Sequence, residues 1–394
     1  MSEPSTEAGA PSGPLGSLKE RARDAVAGAR AELVELSESL YGDPETAWHE
    51  VRSSAAVAAL LERHGFAVVR GVADLPTAFH ATRGTGHRRV AFMAEYDALP
   101  GIGHACGHNL IAAMSAGAAI ATAAVADELD LTVEVFGTPA EEGGGGKIEM
   151  LDRGAFEGLD LAMMAHPAPV DVARARPFAV SHSAIRFTGK AAHAAAYPTH
   201  GRNAADAFTI AQVAIGMLRQ QLPPTVRVHG VMTSGGEAPN AIPEVTTGRW
   251  YVRASSMAEL AETEEKVRHC FEAGALATGC ELALEPESQP YSDLRTDEAA
   301  LAAYELNAAA LGRTLVTDGP ETAMCTASTD MGNVSQVVRA IHPYIGVGSF
   351  PVLNHQREFA DHCVGPIAER TLSDGATALA WTAIDVAEDW RRES

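Results

Sequence analysis

Four stretches of the sequence gather side chains that bind metal ions or move protons. Glu95-Tyr96-Asp97 precedes Gly103-His104-Ala105-Cys106-Gly107-His108-Asn109, and Pro139-Ala140-Glu141-Glu142 runs into four glycines, Gly143 to Gly146. His166-Pro167 follows, and Asn354-His355 lies near the C-terminus. Cys, His and Glu together are transition-metal donors, and zinc accepts all three. Cys106 with His108, then Glu142, then the single histidines His166 and His355 would suit two adjacent ions. Two such ions can activate a water and polarise a scissile carbonyl. That leaves the work of a general base, which takes a proton from the attacking water and returns it to the leaving nitrogen. Glu141 and Glu142 offer the division, one carboxylate on a metal and its neighbour free. The glycines let the backbone come close.

Each residue taken alone has a plainer explanation. A single buried His is more often a hydrogen-bonded core residue than a ligand, and Cys106 alone is a small buried hydrophobe. Glu141-Glu142 alone would be a solvated loop. The glycine run could suggest a phosphate loop, but no Lys-Ser/Thr follows at the required spacing. A Ser or Cys hydrolase lacks a G-x-S-x-G elbow. What favours a metal site is joint placement after apolar strands.

Those strands are short continuous apolar runs: Val90–Ala94, Leu131–Phe136, Leu159–Ala165 and Tyr344–Val347. Helix-period patterns at Leu18–Leu40, Glu50–His64 and Leu110–Glu128, with a strand at Phe66–Val69, complete the first part. Continuous apolar strands alternating with helices predict an α/β fold with a central, mostly parallel sheet covered on both faces. Such sheets place active sites beyond the carboxyl ends of their strands. Between 181 and 287 the order becomes strand, helix, strand, strand, helix, strand. This βαββαβ unit is ferredoxin-like and reads as an insertion. The expected division is a flexible tail at 1–17, a metal-binding catalytic domain at 18–180 and 288–394, and the inserted domain at 181–287. Helices at Asp297–Leu311 and Pro366–Trp390 resume the α/β pattern.

The blocks Ala94-Glu95-Tyr96-Asp97-Ala98-Leu99-Pro100, Gly103 to Asn109 and Pro139-Ala140-Glu141-Glu142-Gly143 resemble the aminoacylase and glutamate-carboxypeptidase metallopeptidases, in their amidohydrolase branch. The resemblance runs from about Arg30 to the C-terminus. It implies that Cys106, His108, Glu142, His166 and His355 hold two divalent metal ions. Zinc is the first expectation, with manganese, nickel or cobalt as alternatives. It implies Glu141 as general base and Asp97 as the group that orients a ligand. In the wider family a His stands at the place of Glu95 and a bridging Asp at the place of Cys106; the difference is that of this branch. The inserted unit resembles the family's lid and dimerisation domain. There His193, in Gly189-Lys190-Ala191-Ala192-His193-Ala194, would donate a hydrogen bond to the developing oxyanion. Asn240, in Gly235 to Pro243, would hold the substrate's carboxylate. His104 and Asp330 would be structural or would orient other groups. The implied activity is metal-dependent hydrolysis of an amide bond in an N-acyl amino acid or dipeptide by a homodimer. The rival expectation is a catalytically silent relative that binds a small ligand or partner in the same cleft.

Composition narrows the partners. The chain has 394 residues, with 30 Lys+Arg against 51 Asp+Glu for a net charge of −21. That charge argues against nucleic acid and anionic membranes, which would repel it. Apolar residues at 46% and charged ones at 21% are ordinary for a globular protein. Five scattered cysteines without a C-x-x-C pair, and no signal-peptide pattern, predict a cytoplasmic protein. The Ala-rich run at 110–126 is too poor in large apolar side chains for a membrane span.

Overall fold

A computed structural model describes residues 14–393. The expected tail lies outside the described residues up to position 13. From Pro14 onward the chain is already helical, four residues before the apolar periodicity becomes visible. The elements up to the insertion are α1 (Pro14–Gly42), α2 (Val51–Arg63), β1 (Ala67–Arg70), β2 (Phe79–Arg83), β3 (Arg88–Glu95), α3 (His108–Ala123), β4 (Leu131–Thr138), α4 (Gly146–Asp152), β5 (Leu161–Met163) and β6 (His166–Ala168). The insertion carries β7 (Ala179–Thr188), α5 (Ala204–Leu218), β8 (Arg227–Ser234), β9 (Val245–Ala254), α6 (Met257–Thr278) and β10 (Glu281–Pro286). After it come α7 (Glu298–Ala310), α8 (Met331–Ser335), β11 (Ala340–Ile341), β12 (Tyr344–Gly346), α9 (Arg357–Asp361) and α10 (Pro366–Glu393).

The chain forms two compact units, residues 176–293 and the remainder. In the larger unit a six-stranded sheet has the order β1-β2-β4-β3-β5-β11. β3 pairs in parallel with both β4 and β5, and β5 in parallel with β11. β1 and β2 add an antiparallel edge. Val90 to Glu95 of β3 are all buried, which is why that strand reads as an unbroken apolar run. α3 is buried from His108 to Thr122. Its small side chains let α1 and α10 pack directly on it: a Cβ at Gly117 would meet Leu33 at 2.9 Å and Ala376 at 3.0 Å. One expected strand lies elsewhere. Tyr344–Gly346 does not join the main sheet but pairs in parallel with β6, Tyr344 opposite His166. His342-Pro343 between β11 and β12 takes the chain out of the main sheet, since proline has no N–H for a ladder.

The inserted unit is a four-stranded antiparallel sheet in the order β10-β7-β9-β8. That is the ferredoxin-like arrangement. α5 and α6 enclose a core of Phe187, Phe208, Trp250 and Phe271, whose rings meet mostly edge to face. Asn203 and Ser256 cap the two helices by accepting the N–H of Ala205 and Glu259. The unit extends past 181–287 because Val180 and Tyr291 exchange backbone hydrogen bonds at 2.9 Å. Asp293 then accepts the Met257 N–H.

Candidate metal centre

The carboxyl ends of β3 and β4, the start of α3, the start of β6 and the loop before α9 bring seven of the expected residues together. β3 delivers Glu95 and, two residues on, Asp97. Asp97 is buried and accepts from His108 Nδ1 at 3.0 Å and from the Glu142 N–H at 3.0 Å. One carboxylate thereby aims the His108 ring and fixes the backbone that presents Glu142. His108 opens α3, and Gly107 before it has φ +83°. A Cβ at Gly107 would come within 2.8 Å of Pro167 and 3.2 Å of Cys363 Sγ, so only glycine fits. Cys106 Sγ then lies 3.5 Å from His166 Nε2, while His166 Nδ1 is held on the Pro167 carbonyl at 2.8 Å. That bond leaves Nε2 as the free donor atom for a metal.

After β4 the chain turns sharply. Ala140 takes φ +56°, and its N–H is held by the buried Glu50 at 2.8 Å. Glu141 and Glu142 follow in the turn. Gly146 is packed so closely that a Cβ would fall 1.8 Å from the Pro139 carbonyl oxygen. His355 reaches the same place from the C-terminal part of the chain. It has φ +66°, its N–H bonds the Ala105 carbonyl at 2.9 Å, and its Nε2 is 3.2 Å from Glu142 Oε1. A non-glycine residue in this region is strained and is held by its surroundings.

Three ligating groups result, each with its donor atoms within 4.8 Å of one another: Cys106–His108–His166, Cys106–Glu142–His355, and Glu95–His108–Glu141. The first two share the thiol. His108 Nε2 at the centre is buried and has no hydrogen-bond partner among the described residues. A buried polar atom is rarely left unpaired, so its orphan state fits a bound cation. Charge gives the same answer. Burial would lower the His108 imidazole, yet Asp97, Glu95 and Glu142 around it push it up to about 10. Burial and then Glu95, Glu142 and Asp330 raise Glu141 well above the usual carboxylate range. Burial and the Glu142 and Glu141 carboxylates likewise push the Cys106 thiol up. A site crowded with anions holds its protons until a metal displaces them.

The comparisons with known proteins identify the family. The model of peptidase family M20/M25/M40 matches residues 91–380. The chain belongs to that family. It is 40% identical over 383 residues to the Xaa-Arg dipeptidase of Mus musculus, covering 94% of this chain and 89% of that protein. It is 34% identical over 276 residues to a p-aminobenzoyl-glutamate hydrolase polypeptide of Escherichia coli, covering 65% and 57%. A dinuclear metal-binding peptidase of Bacillus subtilis shares the fold, with a TM-score of 0.70 at 20% identity over 92% of this chain and 99% of that one. As an M20 peptidase the protein is a metal-dependent hydrolase of amide bonds, and its donor groups fit the metal.

Two expected residues of this M20 chain stand in the inserted unit, where they share one loop cluster. His193 and Asn240 are both exposed, His193 bridges to Ala241, and the Ala194 N–H bonds the Asn240 carbonyl at 2.9 Å. Three buried groups escape the sequence reading. Lys147, fully buried, binds Glu95 Oε1 at 2.5 Å and Asp330 Oδ1 at 2.7 Å. Glu50 receives the Trp48 and Ala140 N–H groups and the Thr77 hydroxyl. His342 lies against His166 and Tyr344, and burial pushes it down to about 4. The signal for Lys147 is its position after Glu141-Glu142 and the glycines, but its partners are remote in sequence. Among the described residues no helix is long and apolar enough to cross a membrane.

Proposed function

We propose that this M20 peptidase cleaves the amide bond of a dipeptide or N-acyl amino acid with two divalent ions held by Cys106, His108, Glu142, His166 and His355. The observation that supports this best is the pair of donor groups joined through the Cys106 thiol. Thiol and imidazole donors suit zinc first, with manganese, nickel or cobalt as alternatives. The ions supply Lewis acidity, which polarises the carbonyl and acidifies a water. Glu141, outside the two groups that share the thiol, is the general base. It takes the proton of the attacking water and delivers it to the leaving nitrogen. Asp97 keeps His108 and Glu142 in register.

His193 is the proposed oxyanion donor. Its Nδ1 accepts the N–H groups of Ala195 at 3.3 Å and Ala196 at 3.1 Å, which assigns the ring proton to Nε2 and makes that atom a donor. Asn240 is the proposed holder of the substrate's carboxylate. Dimerisation through the inserted unit is supported by β8, an edge strand with Val231 exposed, and by Val213 and Met217 exposed on α5. Five free cysteines support a reducing, cytoplasmic setting.

A net charge of −21 favours the approach of a cationic substrate. Dipeptides with a C-terminal arginine are therefore the first substrates to test, as the name of the mouse relative also suggests. The experiment is metal counting on purified protein with a panel of Xaa-Arg and Xaa-Lys dipeptides, neutral dipeptides and N-acyl amino acids. Turnover highest on the basic dipeptides is expected. Equal rates across leaving groups would remove the charge preference, and no turnover with two ions bound would remove this substrate class.

A further inference from the structure

Three donor groups are available, and the first and third both need His108 Nε2, since Nδ1 is held on Asp97, so something must decide which of them the imidazole serves. Glu95, His108 and Glu141 are all buried and in ligating range of one another. By donor chemistry alone that third group is as good a cation site as the others. What sets it apart is Lys147. Its ammonium takes Glu95 Oε1 at 2.5 Å and Asp330 Oδ1 at 2.7 Å, and its own N–H is held by Asp330 Oδ2 at 2.9 Å. Only Glu95 Oε2 is left facing His108, 3.6 Å from Nε2.

A fully buried lysine between two carboxylates is a poor way to gain stability, because desolvation offsets most of the attraction. Packing alone would be served as well by an apolar side chain of similar length. The arrangement does, however, put a fixed positive charge on the carboxylate that completes the third group. We propose that Lys147 is a positioning residue that withholds Glu95 from the metal centre, confining the ions to the ligands around Cys106. The inference rests on the two-ion reading above. Asp330 anchors the lysine at both ends, backbone and ammonium, so the charge cannot swing away.

The test is cobalt loading, read as bound cobalt per chain and as the thiolate-to-cobalt charge-transfer absorption per bound ion, which reports ions on Cys106. The parent is expected to hold two ions with strong absorption. Lys147→Met frees Glu95, draws His108 into the third group and is expected to lower the absorption per ion. Lys147→Met with Glu95→Gln restores it, and Lys147→Arg, which keeps the charge, retains it. A Lys147→Met protein with the parent's absorption per ion overturns the inference and leaves the metal reading intact. A parent that holds no ion overturns the metal reading itself, and the inference falls with it. Should Lys147→Met be insoluble as purified, refolding is compared with and without millimolar manganese. Recovery only with the ion supports the role, and failure in both overturns it.

Discussion

Asp97→Asn isolates the part of the site that aims ligands without being one. The substitution keeps the shape and removes the charge. Asp97 accepts two hydrogen bonds at 3.0 Å, one from the His108 ring and one from the Glu142 N–H, and it is buried. A hydrogen bond to a charged group is worth about 1.5–3 kcal/mol net. An asparagine can still accept one of the two through Oδ1, while its NH2 faces the other donor. The expected loss is therefore one bond, about 1.5–3 kcal/mol, and at about 1.4 kcal/mol per tenfold that is a ~10–150-fold weaker metal affinity. The range agrees with the roughly 10–100-fold cost of disturbing the groups behind metal ligands. The assay is competition for zinc against a chelator of known affinity, with thermal unfolding of both metal-free proteins as the control. An Asp97→Asn protein whose affinity stays within threefold of the parent refutes the orienting role. So does a loss of affinity that only accompanies a collapse of the metal-free fold.

Other outcomes follow from the same geometry. Glu141→Gln is expected to abolish turnover while both ions remain by metal analysis; a rate within tenfold of the parent, a barrier change of about 1.4 kcal/mol, removes Glu141 as the base. Gly107→Ala forces a Cβ to 2.8 Å from Pro167 at φ +83° and is expected to cost about 2–4 kcal/mol in urea unfolding; a cost under 1 kcal/mol would mean that the loop relaxes freely. In the inserted unit, burial, then Arg253 and Arg249 against the opposing Glu287, hold His182 down at about 4, with His229 adding to the same effect. The folded value lies below the ordinary 6.5, so its contribution is complete above that pH and is lost as pH falls toward 4. Partial exposure limits the loss to about 1–2 kcal/mol. His182→Gln should flatten the decline in stability between pH 6.5 and 4, and an unchanged pH slope would refute it.

How far the fold could be read depended on where each residue finds its partners. β3 and β4 are buried on both faces, so Val90–Ala94 and Leu131–Phe136 stand out as apolar runs. The insertion showed itself because its strands and capped helices follow one another in short order. β2 was missed: Phe79-His80-Ala81-Thr82-Arg83 alternates, as an antiparallel strand with one polar face must, and is only five residues long. β11 has two residues and exists only through its pairing with β5. The site divides in the same way. Cys106, His108, Glu141 and Glu142 lie in compact blocks after strands, and their types give away their chemistry. Lys147 is joined to Asp330 across 183 positions, and no local pattern announces such a contact. Read locally, a lysine after four glycines is a solvated helix start.

The charge of the site explains why that lysine belongs there. Glu95, Asp97, Glu141, Glu142 and Asp330 are five carboxylates packed around one centre, four of them with less than one-tenth of their surface exposed. With Cys106 as a thiolate they carry six negative charges. The two proposed divalent ions and the Lys147 ammonium would return five, with His108, His166 and His355 neutral. One negative charge is left over. A single proton on Glu141 then makes the centre neutral, and its release leaves the charge at minus one. Without Lys147 the same centre would sit at minus two, and the low-dielectric surroundings would oppose removal of the proton that the reaction must cycle. A third ion in the lysine's place would make the centre neutral with Glu141 already ionised and favour a carboxylate too weak to accept a proton. The lysine supplies one positive charge where a metal would supply two, and on this count one is the number that keeps a buried glutamate able both to take a proton and to give it back.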